Sequence, residues 1–455
     1  MNLEDTITAI ATPIGEGGIG MIRISGDDSL EIANGIFKPH GKKAREFESH
    51  RLYFGKLHTA HGPIDDVCLV YMKAPRSYTR QDTVEISCHG SPAVLRRALK
   101  AAMQSGARMA EPGEFTKRAF LNGRIDLAQA EGVIDLIKAR SEGAAKAAFN
   151  MMEGGLSSRI NAVKEKLVSV TAHLEASIDF PDEELVTATD ENIIDHLDKA
   201  VRQMERMIES YERGKFLKRG MGLAIIGKPN VGKSSLLNAL LEEDHAIVTE
   251  HPGTTRDLIR AQAEIMGLAV ELIDTAGLNP DPDHVESIGI ARALKAAEGA
   301  DAVIGIFDGS SQWDDADSEV LKTLKKASRY LAVINKSDLP QKLKWPHRVD
   351  AAISPLAISA KTHQGLEGLI KKISQLAGDI GKSVTEEPVV TRRRHIEIFS
   401  RIVDDLKRAK DELAVGREVA AASVWDALEE IKRFTGESYT DEVLDTIFDE
   451  FCIGK

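Results

Sequence analysis

Cysteine is scarce in this 455-residue sequence: Cys68, Cys88 and Cys452 are far apart, odd in number and outside any CxxC spacing. Neither a disulfide framework nor a zinc site is indicated. No apolar run approaches the roughly 20 residues that cross a bilayer, so no membrane segment is expected. The opening Met-Asn-Leu-Glu-Asp is acidic and lacks the basic-then-apolar order of a signal peptide. A cytoplasmic location is expected. There is no internal repeat and no long low-complexity segment. There is no basic excess either, the formal net charge being −12. A bare nucleic-acid binder normally carries a basic footprint, so any RNA contacts must be local or supplied by a partner. The charge is uneven: residues 1–120 hold 16 Lys and Arg against 14 Asp and Glu, and the remainder 43 against 57.

The bulk composition is that of a soluble globular protein, 42% hydrophobic and 29% charged. The length suggests two to four domains, because single cores seldom grow past roughly 250–300 residues. Residues 1–120 read as mixed α/β, with β-rich runs at 6–12, 20–25, 51–58, 67–72 and 83–88 and helices at 29–37 and 92–105. Helical periodicity follows. Ile160, Val163, Leu167, Val170, Leu174 and Ile178 line one face, Pro181 stops that helix, and a second runs through about 191–213. After a central unit at about 217–380 the period returns. Ile398, Ile402, Leu406, Ala409 and Leu413 form one stripe, Val424, Leu428 and Ile431 another, and Val443, Ile447 and Phe451 a third. We expect a multidomain α/β protein: an α+β domain at 1–120, a discontinuous helical domain at 121–216 and 381–455, and an inserted Ras-like P-loop domain at 217–380. Two independent helical bundles are the alternative.

The central unit carries three motifs in order. Gly227-Lys228-Pro229-Asn230-Val231-Gly232-Lys233-Ser234 is a GxxxxGKS phosphate loop between the apolar strand 223–226 and a helix opening at Ser234-Ser235. Its glycines let backbone N–H groups approach phosphates, and the helix N-terminus adds positive potential. Lys233 would bridge the β- and γ-phosphates and Ser234 would ligate Mg²⁺. Asp274-Thr275-Ala276-Gly277 is a DxxG box, with Asp274 toward the metal and Gly277 donating to the γ-phosphate. Asn335-Lys336-Ser337-Asp338 is an NKxD base reader, whose carboxylate accepts from guanine's N1–H and exocyclic amine and so selects GTP over ATP. Ser359-Ala360-Lys361 fits the last base-side loop. Gly253-Thr254-Thr255-Arg256-Asp257 lies in the switch I interval, Thr255 completing the Mg²⁺ shell, and Thr249, Glu250, His251 and Pro252 just before it are counted with the GTP-binding candidates. The position directly after DxxG holds Leu278, not the Gln that orients water in many Ras-type enzymes. Another group must do that work, or the unit is a slow switch needing an external activator.

At these residues the chain resembles the MnmE (TrmE) family of tRNA modification GTPases, over essentially its whole length. The resemblance includes Ala11-Thr12-Pro13, Gly20–Gly26, Glu114–Gly123, Asp126–Glu131 and, as its most specific mark, the ending Phe451-Cys452-Ile453-Gly454-Lys455. It implies a K⁺-stimulated GTPase whose G domains meet head to head. Asn230 matches the family's potassium-coordinating asparagine, with Thr249, His251 and Thr254 supplying the rest of the site. Glu286 matches its water-activating glutamate, although by sequence alone it is an acid near a helix start. The family's N-terminal domain binds a tetrahydrofolate derivative (5-formyl or 5,10-methylene form) and dimerises. Arg23, Gln81, Arg124 and Lys455 match that site. Gln81 stands where an acid is common, so one pterin contact would have a single acceptor oxygen. Cys452 is open between a small buried hydrophobe and a part in the modification.

The resemblance further implies a homodimer that acts with the FAD-carrying partner MnmG (GidA) on tRNA. Together they would add an aminomethyl or carboxymethylaminomethyl group at C5 of the wobble uridine. The chief alternative is a ribosome-assembly, RNA-binding GTPase of the Era or EngA type, disfavoured by the absence of a convincing GxxG clamp after the nucleotide unit. A folate-dependent methyltransferase with a regulatory G domain is a third reading.

Overall fold

The computed structural model describes residues 4–40, 47–59, 62–179, 189–242, 259–274, 298–346, 353–378 and 388–455. Two compact units emerge, Met1–Ile134 together with Ile431–Lys455, and Asp135–Glu430. The architecture is multidomain α/β, as the patterning predicts.

The first unit is built on a seven-stranded sheet of order β3-β4-β5-β6-β2-β1-β7. Its strands are β1 (Ile7–Ile10), β2 (Gly17–Ser25), β3 (Phe37–Pro39), β4 (Leu52–Thr59), β5 (Gly62–Met72), β6 (Thr83–Gly90) and β7 (Arg108–Met109). Pairing is antiparallel except for β1 with β7. The alternation the sequence shows along β2 and β6 buries Ile22, Ile24, Val84 and Ile86 on one face. Helices Ser29–Ile36 and Pro92–Gln104 cover that face. Ile447 and Phe451 are buried as expected, but Val443 is 39% exposed. The helix Asp441–Phe448 is short, and its buried face is Leu444, Ile447 and Phe448; Phe451 packs from beyond its end.

The second unit contains a six-stranded sheet of order β13-β12-β11-β8-β10-β9. These are β8 (Met221–Ile226), β9 (Ile259–Ile265), β10 (Leu268–Asp274), β11 (Ala302–Asp308), β12 (Tyr330–Asn335) and β13 (Leu356–Ala357). All pairs are parallel except β9 with β10. Every residue of β11 is buried, as a central parallel strand covered on both faces requires.

Helix Gly155–Asp179 buries Ile160, Val163, Leu167, Val170 and Leu174 as the period predicts. The helix expected over 191–213 is instead two, Asp190–Glu209 and Tyr211–Arg219. Ser210 marks the break. Its hydroxyl donates to the Met207 carbonyl at 2.7 Å and accepts from the Val390 N–H at 3.1 Å, competing with the helix ladder. The stripes from either side of the nucleotide sheet meet: helix Arg393–Glu412 packs along Asp190–Glu209. Ion pairs Lys407–Glu205 and Lys410–Asp198, both at 2.8 Å, flank that seam. Leu413, counted in the sequence stripe, lies just past the helix and is half-buried.

Candidate functional site: a phosphate loop and a docked C-terminus

The strand β8 runs into the loop 227–232, which opens onto helix Lys233–Glu242. Two positions of this loop have positive φ, Asn230 (62°) and Gly232 (97°). Asn tolerates that conformation better than most residues. At Gly232 a Cβ would run into the Asn335 amide, so glycine is required on two grounds. Val231 is buried beneath the loop, while Asn230, Ser234 and Ser235 face solvent. The Lys233 ammonium donates to the carbonyls of Gly227 (3.0 Å) and Lys228 (2.9 Å), held within the curl of the loop.

The base-side residues are tied to that loop. Asn335, buried at the end of β12, donates to the Val231 carbonyl at 2.8 Å and accepts from the Ala360 N–H at 3.0 Å. One amide thus clamps the phosphate loop to the 359–361 loop. Lys336 donates to the Asn230 carbonyl (2.8 Å) and pairs with Asp308 (2.6 Å). Burial favours the neutral form of Asp308, but Lys336 and Ser310 outweigh it and hold its pKa below the usual carboxylate value. The buried Ser359 hydroxyl donates to Asp338 Oδ1 at 2.7 Å, fixing an exposed carboxylate where a base can reach it. Lys361 is exposed.

Asp274 ends β10 in register with Ile225 of β8, which places its backbone next to the start of the phosphate loop. Thr249, Glu250, His251, Pro252, Gly253, Thr254, Thr255, Thr275, Ala276, Gly277, Leu278 and Glu286 lie outside the described residues. Among the described residues no group of three or more His, Cys, Asp or Glu could hold a metal ion.

Sequence reasoning missed one feature of this site. Lys228 reaches Asp314 and Asp317, both at 2.8 Å, at the capped start of helix Asp315–Lys326. Asp317 is buried, and desolvation raises its pKa. Lys228 thereby fastens the outer edge of the loop to a second element. Nothing in the spacing of Lys228 and Asp317 signals this contact, because the two are 89 residues apart, with β9, β10 and β11 between them.

In the first unit the chain's last residues return to β2. Ile453 bridges Pro112, the Phe115 N–H donates to the Lys455 carbonyl at 3.1 Å, and Arg23 Nη1 donates to the Gly454 carbonyl at 3.3 Å. Gly454 has φ 99° with its Cα against Ile10 and Ala11, so a side chain there would clash with backbone. Arg23 also pairs with Glu85 at 2.8 Å. The guanidinium groups of Arg23 and Arg124 lie 5.8 and 5.0 Å from the Tyr78 ring centroid. Burial, and then the nearby Arg23 charge, lower the pKa of Lys455. Crowded like charges around an aromatic ring fit an anionic, flat ligand such as a folate. Gln81 does not stand open toward that space alone: its Oε1 accepts from Arg118 (3.1 Å) and Ser25 (3.4 Å). Cys452 is exposed, and its carbonyl accepts from the Lys455 N–H at 3.3 Å. The tail therefore docks through Phe451 and the backbone of residues 452–455, with the thiol turned outward.

Arg118, unremarked in the sequence beyond its motif, is fully buried. It donates to Asp5 Oδ1 (2.6 Å), the Asp5 carbonyl (2.7 Å) and Glu114 Oε1 (2.9 Å). Arg108 closes the network on Asp5 and Glu114, both at 2.7 Å.

The N-terminal family model, "GTP-binding protein TrmE N-terminus", matches residues 6–124, and "MnmE helical domain" matches 127–452. Proteins named "tRNA modification GTPase MnmE" align end to end. The one from Carboxydothermus hydrogenoformans is 40% identical over 100% of both chains. That from Lactococcus lactis subsp. cremoris (strain MG1363) is 42% identical over 99% of this chain and 98% of its own. The chain belongs to the MnmE/TrmE family of tRNA modification GTPases. It is a GTP hydrolase. The MnmE helical match continues past the nucleotide sheet to residue 452, where the structure is helical at 393–412, 417–435 and 441–448. The MnmE relatives' full-length alignment also covers the terminal Lys455, whose carbonyl takes part in docking the tail. Among the described residues no helix is long and apolar enough to cross a membrane.

Proposed function

We propose that this MnmE-family protein is a potassium-dependent GTPase that works with a flavin-containing MnmG-type partner on tRNA. The product is an aminomethyl or carboxymethylaminomethyl group at C5 of the wobble uridine of certain tRNAs. The observation that carries this reading is the 40–42% identity, over essentially full length, to proteins named for tRNA modification. The division into 1–120, 121–216 with 381–455, and 217–380 belongs to the same proposal, as do the homodimer and the FAD on the partner.

The chain's own residues have distinct parts. Lys233 and the N–H groups of 230–235 bind the β- and γ-phosphates, with the helix N-terminus adding positive potential. Asp338, oriented by Ser359, reads guanine, and Asn335 holds the two loops in register. Gly277 donates to the γ-phosphate and Glu286 orients the attacking water, replacing the Gln that Leu278 displaces. Ser234 and Thr255, with Asp274 through water, would hold Mg²⁺, and Asn230, Thr249, His251 and Thr254 would hold K⁺. The two cations supply positive charge opposite the charge that develops on the transferred phosphoryl group. Arg23, Gln81, Arg124 and Lys455 would hold the folate, which supplies the one-carbon unit. Arg118 and Ser25 hold the Gln81 amide oxygen, so this side chain would meet a pterin in an orientation the protein has already fixed. GTP turnover acts as a conformational input to the paired G domains.

Nucleoside mass spectrometry of tRNA from a strain lacking this protein tests the reading. C5-modified wobble uridines should disappear and return on complementation; unchanged uridines would overturn it.

A further inference from the structure

Within the second unit, away from the phosphate loop, a cavity of about 490 Å³ lies among the 135–148, 217–219 and 391 segments. Its floor is apolar, with Ala147, Ala148 and Leu217. Its rim is cationic, with Lys138, Arg140 and Lys218. Two of these cations are uncommitted: among the described residues Lys138 and Arg140 are exposed and have no ion-pair partner. The other lining charges are spoken for. Asp135, almost fully buried, pairs with Arg392 at 2.8 Å and with Lys218 at 3.0 Å. Arg219 pairs with Asp301 and stacks 5.6 Å from the Phe216 ring. The one buried carboxylate of the wall is thus already neutralised twice over. The open mouth presents surplus positive charge above an apolar surface, in a chain whose net charge is −12.

We propose that this cavity is a second nucleotide-phosphate site, independent of the GTP site. The rim cations take a phosphate group, and the alanine and leucine floor takes the attached sugar or base. The volume suits one nucleotide, within the roughly 300–1,000 Å³ of ordinary small-molecule sites. It also answers the charge objection: a local basic mouth is where an acidic protein can hold an RNA backbone. The phosphate belongs either to RNA or to a free mononucleotide. The RNA source rests on the tRNA reading above; the mononucleotide source does not. The site also touches the nucleotide sheet. Helix Glu142–Met152 begins against the β9–β10 turn, where the Gly143 N–H donates to the Gly267 carbonyl at 3.1 Å.

The test uses the full chain saturated with GDP, so that the phosphate loop is filled. Binding of fluorescein-labelled tRNA and of AMP is measured for the parent, for K138A/R140A, for the charge-keeping K138R/R140K, and for a remote charge-matched control, K322A/K371A. K138A/R140A should weaken tRNA binding by about tenfold and flatten its salt dependence by about one to two in log–log slope. K138R/R140K and the control should stay within about twofold of the parent. Loss of tRNA binding alone assigns the site to RNA. Loss of one equivalent of AMP binding assigns it to a free nucleotide. If K138A/R140A binds both ligands as the parent does, the pocket proposal is wrong while the tRNA reading stands. If the parent itself does not bind tRNA, the AMP arm alone decides the pocket: no AMP bound by the GDP-saturated parent overturns it. Unchanged GTP turnover and thermal melting of K138A/R140A certify that the variant is folded.

Discussion

In the nucleotide site, the groups that converge sit on loops following neighbouring parallel strands, and most contacts run through backbone carbonyls and N–H groups of one short loop. Where the C-terminal tail docks, Arg23 and the Gly454 carbonyl it holds are 431 residues apart, and the supporting contacts are buried charges. The first arrangement tolerates surface variation because the backbone supplies the donors. The second depends on specific side chains, since a buried ion loses several kcal/mol when its partner is removed. The two sites should therefore fail in different ways, one in turnover and one in folding.

The largest effect expected is on turnover. Lys233→Ala should lower GTP hydrolysis by at least about 100-fold, the scale of losing one charge-stabilising donor, while the thermal melt stays near the parent's. A matching loss of stability would erase the distinction between the sites. Glu286→Ala should keep nucleotide binding and lose hydrolysis to a similar degree, and replacing K⁺ by Na⁺ should slow turnover severely. Normal rates in sodium would remove Asn230 from its assigned part.

Next in size is Arg118→Met, which strands Asp5 and Glu114 with Arg108 alone. A loss of about 3–5 kcal/mol is expected, read by denaturant unfolding. GTP turnover of the fraction that remains folded should change little. Retention of full stability would show that the buried network is dispensable.

A smaller effect is set by pH. The hydrogen bond from Arg108 is the main cause that lowers the pKa of Asp5, with Arg118 adding to it. For Glu114 burial acts upward, but Arg108, the Glu111 N–H and Arg118 prevail, and the net shift is downward. Both folded pKa values thus lie below those of the unfolded chain, about 4. Their stabilisation is complete above the unfolded values and is lost as pH falls through the folded ones. Melting temperature should drop as acid is added below about pH 4, and the drop should be shallower in Glu114→Gln.

The smallest effect expected is from Lys228→Met. It releases the loop from Asp314 and Asp317, at a cost of about 1–3 kcal/mol for the buried carboxylate left behind. GTP affinity, measured by titration calorimetry, should weaken several-fold with the rate at saturation little changed.

Legibility followed the same division. The phosphate loop, the NKxD segment and Ser359 can be located in the sequence because each is a run of contiguous residues with a fixed spacing. The strands β2, β5 and β6 and the helix Gly155–Asp179 were readable from their periods. The break at Ser210 was not, because it depends on the Val390 N–H, 180 residues away. In the helix Asp441–Phe448 only Val443 departs from the expected stripe, since eight residues give too few turns to separate it from Leu444. Lys228, Asn335 and Arg118 were visible as residues, but their partners were not.

By itself the sequence determined the class of nucleotide, the order of the elements and the residues of the tail. Hydrogen-bond selectivity for guanine and the 3.6- and 2-residue periods are local properties. Tertiary structure alone decided that Asn335 clamps two loops, that Asp317 secures Lys228, and that Arg118 rather than solvent faces Gln81. It also gathered Lys138, Arg140 and Lys218 around one apolar floor. Those outcomes depend on which distant atoms share a low-dielectric space, and chain distance carries no record of that.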